Sequence, residues 1–242
     1  MTKLFPIEGG WRPDDDHRRD DHRRGDYRRP PEREQRYVKN IQARSEGQQR
    51  LIDAIDRQAM VMALGPAGTG KTYLAIAKAV EALEMGKVGR IVLSRPAVEA
   101  GESLGFLPGD MEDKLAPYLR PLYDALHDRM ASKKLKTLMA EGLIEIAPVG
   151  YMRGRTLNNA FVVIDEAQNC TYTQLKMLLT RLGWHSTMVV TGDPCQTDLL
   201  PDLSGLEMCA DRLSALDTVG VVRLEKDDIV RHPLVADMLQ VL

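Results

Sequence analysis

Residues 65–72 have the sequence Gly65-Pro66-Ala67-Gly68-Thr69-Gly70-Lys71-Thr72. This stretch fits the phosphate-binding pattern G-x-x-x-x-G-K-[ST] at every fixed position. Its glycines allow backbone N–H groups to turn inward and surround phosphate oxygens. Lys71 supplies a positive charge for the outer phosphates, and the Thr72 hydroxyl is placed to ligate Mg²⁺. The stretch therefore predicts a nucleotide site formed by all eight residues.

The flanking sequence supports this prediction. Met60–Leu64 is a short apolar run typical of a buried strand, and Tyr73–Leu83 has the composition of an apolar helix. A helix that begins directly after the loop points its N-terminus at the bound anion. The alternative, a glycine-rich turn that matches by chance, does not require a strand before it and a helix after it.

An acidic pair follows a second apolar run. Ala160–Ile164 is continuously apolar, as expected of a parallel strand covered on both faces, and Asp165 and Glu166 come directly after it. Downstream of a phosphate loop, the first carboxylate is expected to hold Mg²⁺ and the second to activate the attacking water. We therefore predict Asp165 as a metal residue and Glu166 as the catalytic base. The alternative is a strand that ends in two solvated carboxylates.

A third apolar strand, Thr187–Thr191, is followed by Gly192-Asp193-Pro194-Cys195-Gln196. We predict that this strand lies between Met60–Leu64 and Ala160–Ile164. That order places Gln196 beside the acidic pair, where its amide can sense the γ-phosphate. Upstream of the loop, Gln48 lies on a helix predicted over Ser45–Ala59. Gln48 either contacts adenine or is a surface glutamine, and the sequence leaves both possibilities open.

The remaining pattern predicts an α/β fold with a mostly parallel sheet flanked by helices. A helix is expected over residues 110–141, with Pro117 and Pro121 bending or restarting it. Thr171 and Gln174 form a capping box before another helix. Further strands are predicted at Arg90–Ser94, Leu143–Ala147 and Val219–Leu224, and a terminal helix follows Asp228–Val235.

Two loops have open interpretations. Residues 95–109 contain regularly placed glycines and prolines, and they follow the carboxyl end of a strand, where ligands bind in open α/β sheets. Substrate contact, subunit contact and a local core are all compatible with Leu104, Phe106 and Leu107. Arg153-Gly154-Arg155 suggests either phosphate contact or a solvated loop.

Residues 1–44 are predicted to be a disordered charged tail, and residues 45–242 a single domain. The tail holds 12 Lys and Arg against 9 Asp and Glu, whereas the remainder holds 21 against 26. Few aliphatic residues lie between Trp11 and Tyr37, so the segment cannot offset the entropy of ordering. Its repeated Arg pairs either bind phosphates or are neutralised by the aspartates beside them.

Composition excludes several classes of protein. The 242 residues contain no apolar run near the roughly 20 residues needed to cross a bilayer, and no signal peptide is evident. Three widely spaced cysteines indicate structural thiols in a reducing compartment rather than a zinc site. We expect a cytoplasmic protein without membrane contact.

Together the motifs resemble those of PhoH-like ATPases, in the same order and over about residues 45–242. The matching stretches are Gly65–Thr72, Arg95–Gly109, Tyr151–Leu157, Ile164–Asn169, Thr191–Asp198 and Asp228–Val235. Asp165-Glu166-Ala167-Gln168 also resembles motif II of superfamily 1 helicases. The resemblance implies a single RecA-like P-loop NTPase domain that hydrolyses ATP with Mg²⁺. It further implies a role in RNA metabolism, with RNA or single-stranded nucleic acid as partner, and a hexameric ring.

The resemblance is incomplete at the N-terminus, where longer bacterial members of the family carry a folded domain. Some relatives are fused to a PIN nuclease, for which this chain has no room, so nuclease activity is not predicted. Related helicases need a second RecA-like domain to separate strands, so strand separation is not predicted either. A ring would supply an arginine from a neighbouring subunit, for which Arg231 ranks first and Arg155 and Arg153 follow. Two other functions remain open: a nucleotide-switched oligomeric scaffold without significant turnover, and a small-molecule kinase.

Overall fold

The computed structural model describes residues 41–96, 111–200 and 203–230, without the side chains of 111–115. The predictions for the N-terminal tail, the loop after Pro96, Arg231 and the terminal helix lie outside these ranges. The division between tail and domain at residue 45 also stays a prediction, because the described part of the chain begins only at residue 41.

Six parallel strands form one sheet in the order β3-β2-β4-β5-β1-β6. Their bounds are β1 Met60–Leu64, β2 Arg90–Arg95, β3 Ile144–Pro148, β4 Ala160–Ile164, β5 Thr187–Gly192 and β6 Val219–Arg223. The prediction that the Thr187 strand separates the other two functional strands is confirmed, because β5 lies between β1 and β4. The carboxyl ends of these three strands therefore meet at one edge of the sheet.

Helices cover both faces of the sheet. Their bounds are α1 Glu46–Arg57, α2 Lys71–Glu84, α3 Met111–His127, α4 Ser132–Ala140, α5 Tyr172–Leu179 and α6 Leu206–Leu213. Side chains from α1 to α4 form one buried cluster with the sheet, and side chains from α5 and α6 form a second cluster on the opposite face. This three-layer arrangement is the predicted α/β fold.

Strand β1 shows why its sequence is apolar throughout. Val61 and Ala63 belong to the first cluster, whereas Met60, Met62 and Leu64 belong to the second. Successive side chains of a strand point to opposite faces, so a strand covered on both sides has no position for a polar residue. All five residues are buried.

The helical region before β3 differs from the prediction. It consists of α3 and α4 with a break at residues 128–131, and α3 continues through Pro117 and Pro121. Leu119, Leu122 and Leu126 of α3 are buried in the first cluster, and this packing compensates for the backbone hydrogen bonds that the prolines cannot make. Helix α6, with eight residues, was not predicted from the sequence.

Within the described ranges, no helix combines the length and the apolar character that a membrane span requires. The Thr171–Gln174 capping box is present at the start of α5, as predicted.

Candidate functional site

The glycine-rich loop connects β1 to α2 at the carboxyl edge of the sheet. Gly68 and Gly70 have φ values of +86° and +84°, in the left-handed region that glycine adopts without strain. A Cβ at Gly65 would collide with the backbone carbonyl of Leu224, so this position also requires glycine. Helix α2 then begins at Lys71. The geometry is that of a P-loop nucleotide-binding site.

Lys71 is folded back onto the loop. Its Nζ donates hydrogen bonds to the carbonyl oxygens of Gly65 at 2.6 Å and Pro66 at 2.7 Å. Burial lowers the pKa of Lys71, and nearby carboxylates, that of Asp193 first, act in the opposite direction. A phosphate group in the loop would add negative charge and stabilise the protonated amine.

Asp165 joins the loop to the end of β4. Its Oδ1 accepts hydrogen bonds from the Thr72 hydroxyl at 2.6 Å and from the Thr191 hydroxyl at 2.7 Å. The Asp165 side chain is buried beside the loop. A hydroxyl and a carboxylate are hard oxygen donors of the kind that Mg²⁺ prefers. The described residues contain no cluster of three or more His, Cys, Asp and Glu that could hold a metal ion.

Glu166 is held by two neighbours. Arg95 Nη2 lies 3.4 Å from its Oε1, and Gln168 Nε2 donates a hydrogen bond to its Oε2. The backbone of Glu166 is left-handed, with φ of +52°, an uncommon conformation for a residue with a Cβ. Such conformations concentrate at functional sites, where surrounding contacts hold them in place.

A cavity of about 280 Å³ contains most of these groups. It is lined by Ala67, Gly68, Gly70, Lys71, Thr72, Tyr73, Asp165, Glu166, Gly192, Asp193 and Gln196. Gln196 therefore shares the cavity with the loop and the acidic pair. Of the predicted loop residues, Gly65, Pro66 and Thr69 do not line this cavity. Thr69 is buried, and its hydroxyl donates to the Pro66 carbonyl at 2.8 Å.

Gln48 lies beside the loop but has partners within the chain. Its Nε2 donates to the Thr69 carbonyl at 3.1 Å, and its Oε1 accepts from the Arg44 N–H at 2.9 Å. It also lines a second cavity of about 620 Å³, together with Gly70 and Tyr73. In this structure Gln48 supports the loop, and its contact with adenine stays a prediction.

Two residues beside Glu166 were not identified from the sequence. Arg95 ends β2, which pairs directly with β4, so it reaches the acidic pair from the neighbouring strand. Gln168 was named only within a motif. Its Oε1 accepts from the Asp193 N–H at 3.1 Å, and its carbonyl accepts from the Thr197 hydroxyl at 3.0 Å. A charged residue at the end of a buried strand is the signal that would have identified Arg95, and an amide in the turn after β4 is the signal for Gln168.

Arg153 and Arg155, in the loop after β3, differ in their contacts. Arg155 makes two hydrogen bonds to the Glu145 carboxylate, at 2.5 and 2.7 Å, and is therefore engaged within the chain. Its contact with phosphate stays a prediction. Arg153 is exposed, and no ion pair links it to a described carboxylate.

Comparison with known proteins identifies the family. The family model described as "PhoH-like protein" matches residues 40–242. The PhoH-like protein of Bacillus subtilis (strain 168) is 53% identical over 203 residues, which cover 84% of this chain and 64% of that relative. The PhoH-like protein of Mycobacterium bovis (strain ATCC BAA-935 / AF2122/97) is 55% identical over 202 residues, 83% of this chain and 57% of that relative. The match thus spans about six-tenths of the length of these relatives.

A solved structure supports the fold alone. The large terminase from a thermophilic bacteriophage aligns with a TM-score of 0.50 at 12% identity, over 82% of this chain and 50% of the terminase chain. The resemblance inferred from the motifs is confirmed by the family match and by relatives that share more than half of the aligned residues. The chain belongs to the PhoH-like protein family.

Proposed function

We propose that this chain binds ATP with Mg²⁺ and hydrolyses it, and that hydrolysis is coupled to RNA or single-stranded nucleic acid. The observation that carries the first part is the 2.6 Å hydrogen bond between Thr72 and Asp165. It brings the phosphate loop and the acidic pair into one site, with Glu166 beside them. ATP hydrolysis needs both halves of this site.

Binding is proposed to use the loop and Lys71. The backbone N–H groups around Gly68 and Gly70 are free of side-chain obstruction and can face phosphate oxygens. Lys71 would exchange the carbonyl oxygens of Gly65 and Pro66 for phosphate oxygens, which are stronger partners for an ammonium group.

Catalysis is proposed to use Glu166 and Gln196. When bound, Mg²⁺ held by Thr72 and Asp165 would neutralise charge on the phosphates. Glu166 takes a proton from the attacking water as the water oxygen bonds to the γ-phosphorus. The bond from that phosphorus to the bridging oxygen breaks, and ADP leaves with its electron pair. Gln196, in the same cavity, orients the γ-phosphate or the water.

The coupling to nucleic acid rests on the resemblance of Asp165–Gln168 to a helicase motif.

An oligomeric assembly would complete the site by supplying an arginine. Among the described residues that line the loop cavity there is no arginine. A guanidinium near the γ-phosphate contributes on the order of 10³–10⁵ in rate in related chemistry. We infer a homo-oligomer, a hexameric ring in the family's pattern, in which Arg231 of a neighbouring subunit plays this part.

The test is to compare Glu166→Gln and Lys71→Ala by ATP binding and by phosphate release. Glu166→Gln retains the size of the side chain and removes the base, so it should bind ATP and lose about 10²–10⁴-fold in turnover. Lys71→Ala should weaken both binding and turnover. Glu141→Gln, an exposed residue after α4, is the matched control and should behave as the parental chain.

The outcomes separate the rival functions. Parental turnover in Glu166→Gln would disprove the role of this residue as base. ATP binding with no turnover in the parental chain would favour a nucleotide-switched scaffold. Phosphate transfer that depends on a metabolite rather than on water would favour a small-molecule kinase.

A further inference from the structure

Both oxygens of the Glu166 carboxylate face side-chain donors. Arg95 approaches Oε1 and Gln168 donates to Oε2. A general base must present an oxygen within hydrogen-bonding distance of the water that it deprotonates. In this arrangement each oxygen faces one of the protein's own donors, so an attacking water must share an oxygen with a donor or displace it.

The two donors differ in how firmly they are held. Gln168 is 2% exposed, and Asp193 and Thr197 bind its side chain and its carbonyl. The Arg95 side chain is 21% exposed and reaches Asp165 and Glu166 at 3.9 and 3.4 Å. Ion pairs at these distances and partly open to solvent contribute little free energy. Arg95 is therefore the donor that can leave Glu166.

A cavity of about 590 Å³ begins at the residue after Arg95. It is lined by Pro96, Pro148, Val149, Gly150, Arg153, Asn169, Thr171, Gln174, Met177 and Leu199. Pro148 is the partner of Arg95 in the pairing of β2 with β3, and Asn169 lies in the same turn as Glu166. Neither Arg95 nor Glu166 lines the cavity, but a neighbour of each one does, so a ligand there would lie close to the pair.

The charge of the cavity suits an anion. Among the described residues that line it, Arg153 is the only charged one, and its guanidinium is exposed. Arg95 is not a lining residue, but it directly precedes Pro96, which is, and no carboxylate is found among the described lining residues. A phosphodiester presents two oxygens that match the planar guanidinium in a bidentate contact.

We propose that Arg95 is a positioning residue that connects this cavity to Glu166. A single-stranded nucleic acid in the cavity draws the Arg95 guanidinium onto a phosphodiester, and one oxygen of Glu166 becomes free for the attacking water. The inference rests on the proposed ATP hydrolysis and adds its means of regulation. Because the contact is to the backbone, activation does not depend on base sequence.

The test measures kcat and KM for ATP with and without oligonucleotide for the parental chain, Arg95→Ala and Arg95→Lys. The probes are an oligouridylate and an oligothymidylate of about 20 nucleotides, long enough to exceed one binding site. Arg95→Ala should raise kcat without oligonucleotide by roughly twofold to fivefold, the rate equivalent of one partly exposed ion pair, and leave KM within about twofold. Its stimulation by either probe should fall to about one, the value for no response.

Two further variants provide a conservative substitution of Arg95 and a control at another arginine. Arg95→Lys keeps the charge and loses the planar fork, so it should retain part of the stimulation. Arg57→Ala removes one exposed arginine from α1 and should match the parental chain in every measurement. Thermal unfolding of each variant establishes that it is folded.

Several results would contradict the proposed role of Arg95. A lower basal kcat in Arg95→Ala, or stimulation equal to that of the parental chain in both Arg95 variants, overturns it. Parental turnover that responds to neither probe overturns the switch and leaves ATP hydrolysis standing. A parental chain without turnover under any condition overturns the proposed function and the switch together.

Discussion

The Thr72 hydroxyl donates a 2.6 Å hydrogen bond to Oδ1 of Asp165, although 93 residues separate them in sequence. The Thr191 hydroxyl donates to the same oxygen from the intervening strand. The strand order β4-β5-β1 explains the contact, because it places the ends of all three strands side by side. The protein's own groups thus orient the carboxylate that is proposed to hold Mg²⁺.

Thr72→Val should impair this orientation while preserving the volume of the side chain. We expect turnover to fall on the order of 10–100-fold and the Mg²⁺ concentration for half-maximal activity to rise, since valine offers no hydroxyl. A Mg²⁺ titration of phosphate release measures both effects. Thr72→Ser keeps the hydroxyl and serves as the control. Equal activity of the valine variant and the parental chain would contradict the role of the hydroxyl.

The substitution Gln168→Glu should keep one of the two hydrogen bonds of this side chain and remove the other. A glutamate can still accept from the Asp193 N–H, but it cannot donate to Glu166 and repels it. We expect kcat to fall about 10–100-fold with little change in KM for ATP, because a partner that orients a functional side chain is lost. Steady-state kinetics distinguish this result from a binding defect. A change confined to KM would show that Gln168 acts on substrate binding instead.

Asp228 connects α1 to the end of the described chain, and its loss should lower stability in a pH-dependent way. The pKa of Asp228 is lowered, chiefly by a hydrogen bond from the Ser45 side chain and also by the N–H groups of Glu225 and Gly47. Its contribution is therefore present above the unfolded pKa, near 3.8, and lost as pH falls through the lower folded value. Asp228→Asn should reduce the free energy of unfolding at pH 7 by about 1–3 kcal/mol.

Urea unfolding at neutral and acidic pH measures this difference for Asp228→Asn. The exposed neighbour Asp227 provides the control, because Asp227→Asn changes the same charge without these bonds. The deficit of Asp228→Asn should shrink in acid. A deficit that stays constant with pH would show that the ionised carboxylate is not what stabilises the fold.

The three cysteines should differ in their reaction with a thiol reagent at mildly alkaline pH. Burial raises the pKa of Cys170 to about 12 and raises that of Cys209, whereas Cys195 is exposed. Because the thiolate is the reactive form, Cys195 should react first and the buried pair only after denaturation. Mass spectrometry of the modified chain measures the order, and Cys195→Ser should abolish the fast phase. Rapid modification of Cys170 in the folded chain would contradict its burial.

The sequence determined the fold class and the two halves of the site, because each depends on a local pattern. The apolar runs of β1, β4 and β5 are each buried on both faces, and continuous apolarity is the signature of that environment. The loop glycines meet a local backbone requirement, so their spacing alone identifies a phosphate site. The predicted order of these three strands, which places Gln196 beside the acidic pair, is confirmed as well.

Only the tertiary structure decided which side chains meet across the sheet. Arg95 reaches Glu166 because β2 is the neighbour of β4 in the sheet, and Arg155 binds Glu145. Likewise α3 runs through two prolines because its apolar face is packed against the core. Such contacts join residues far apart in the chain, and their free energy comes from packing and electrostatics that no local pattern of residues encodes.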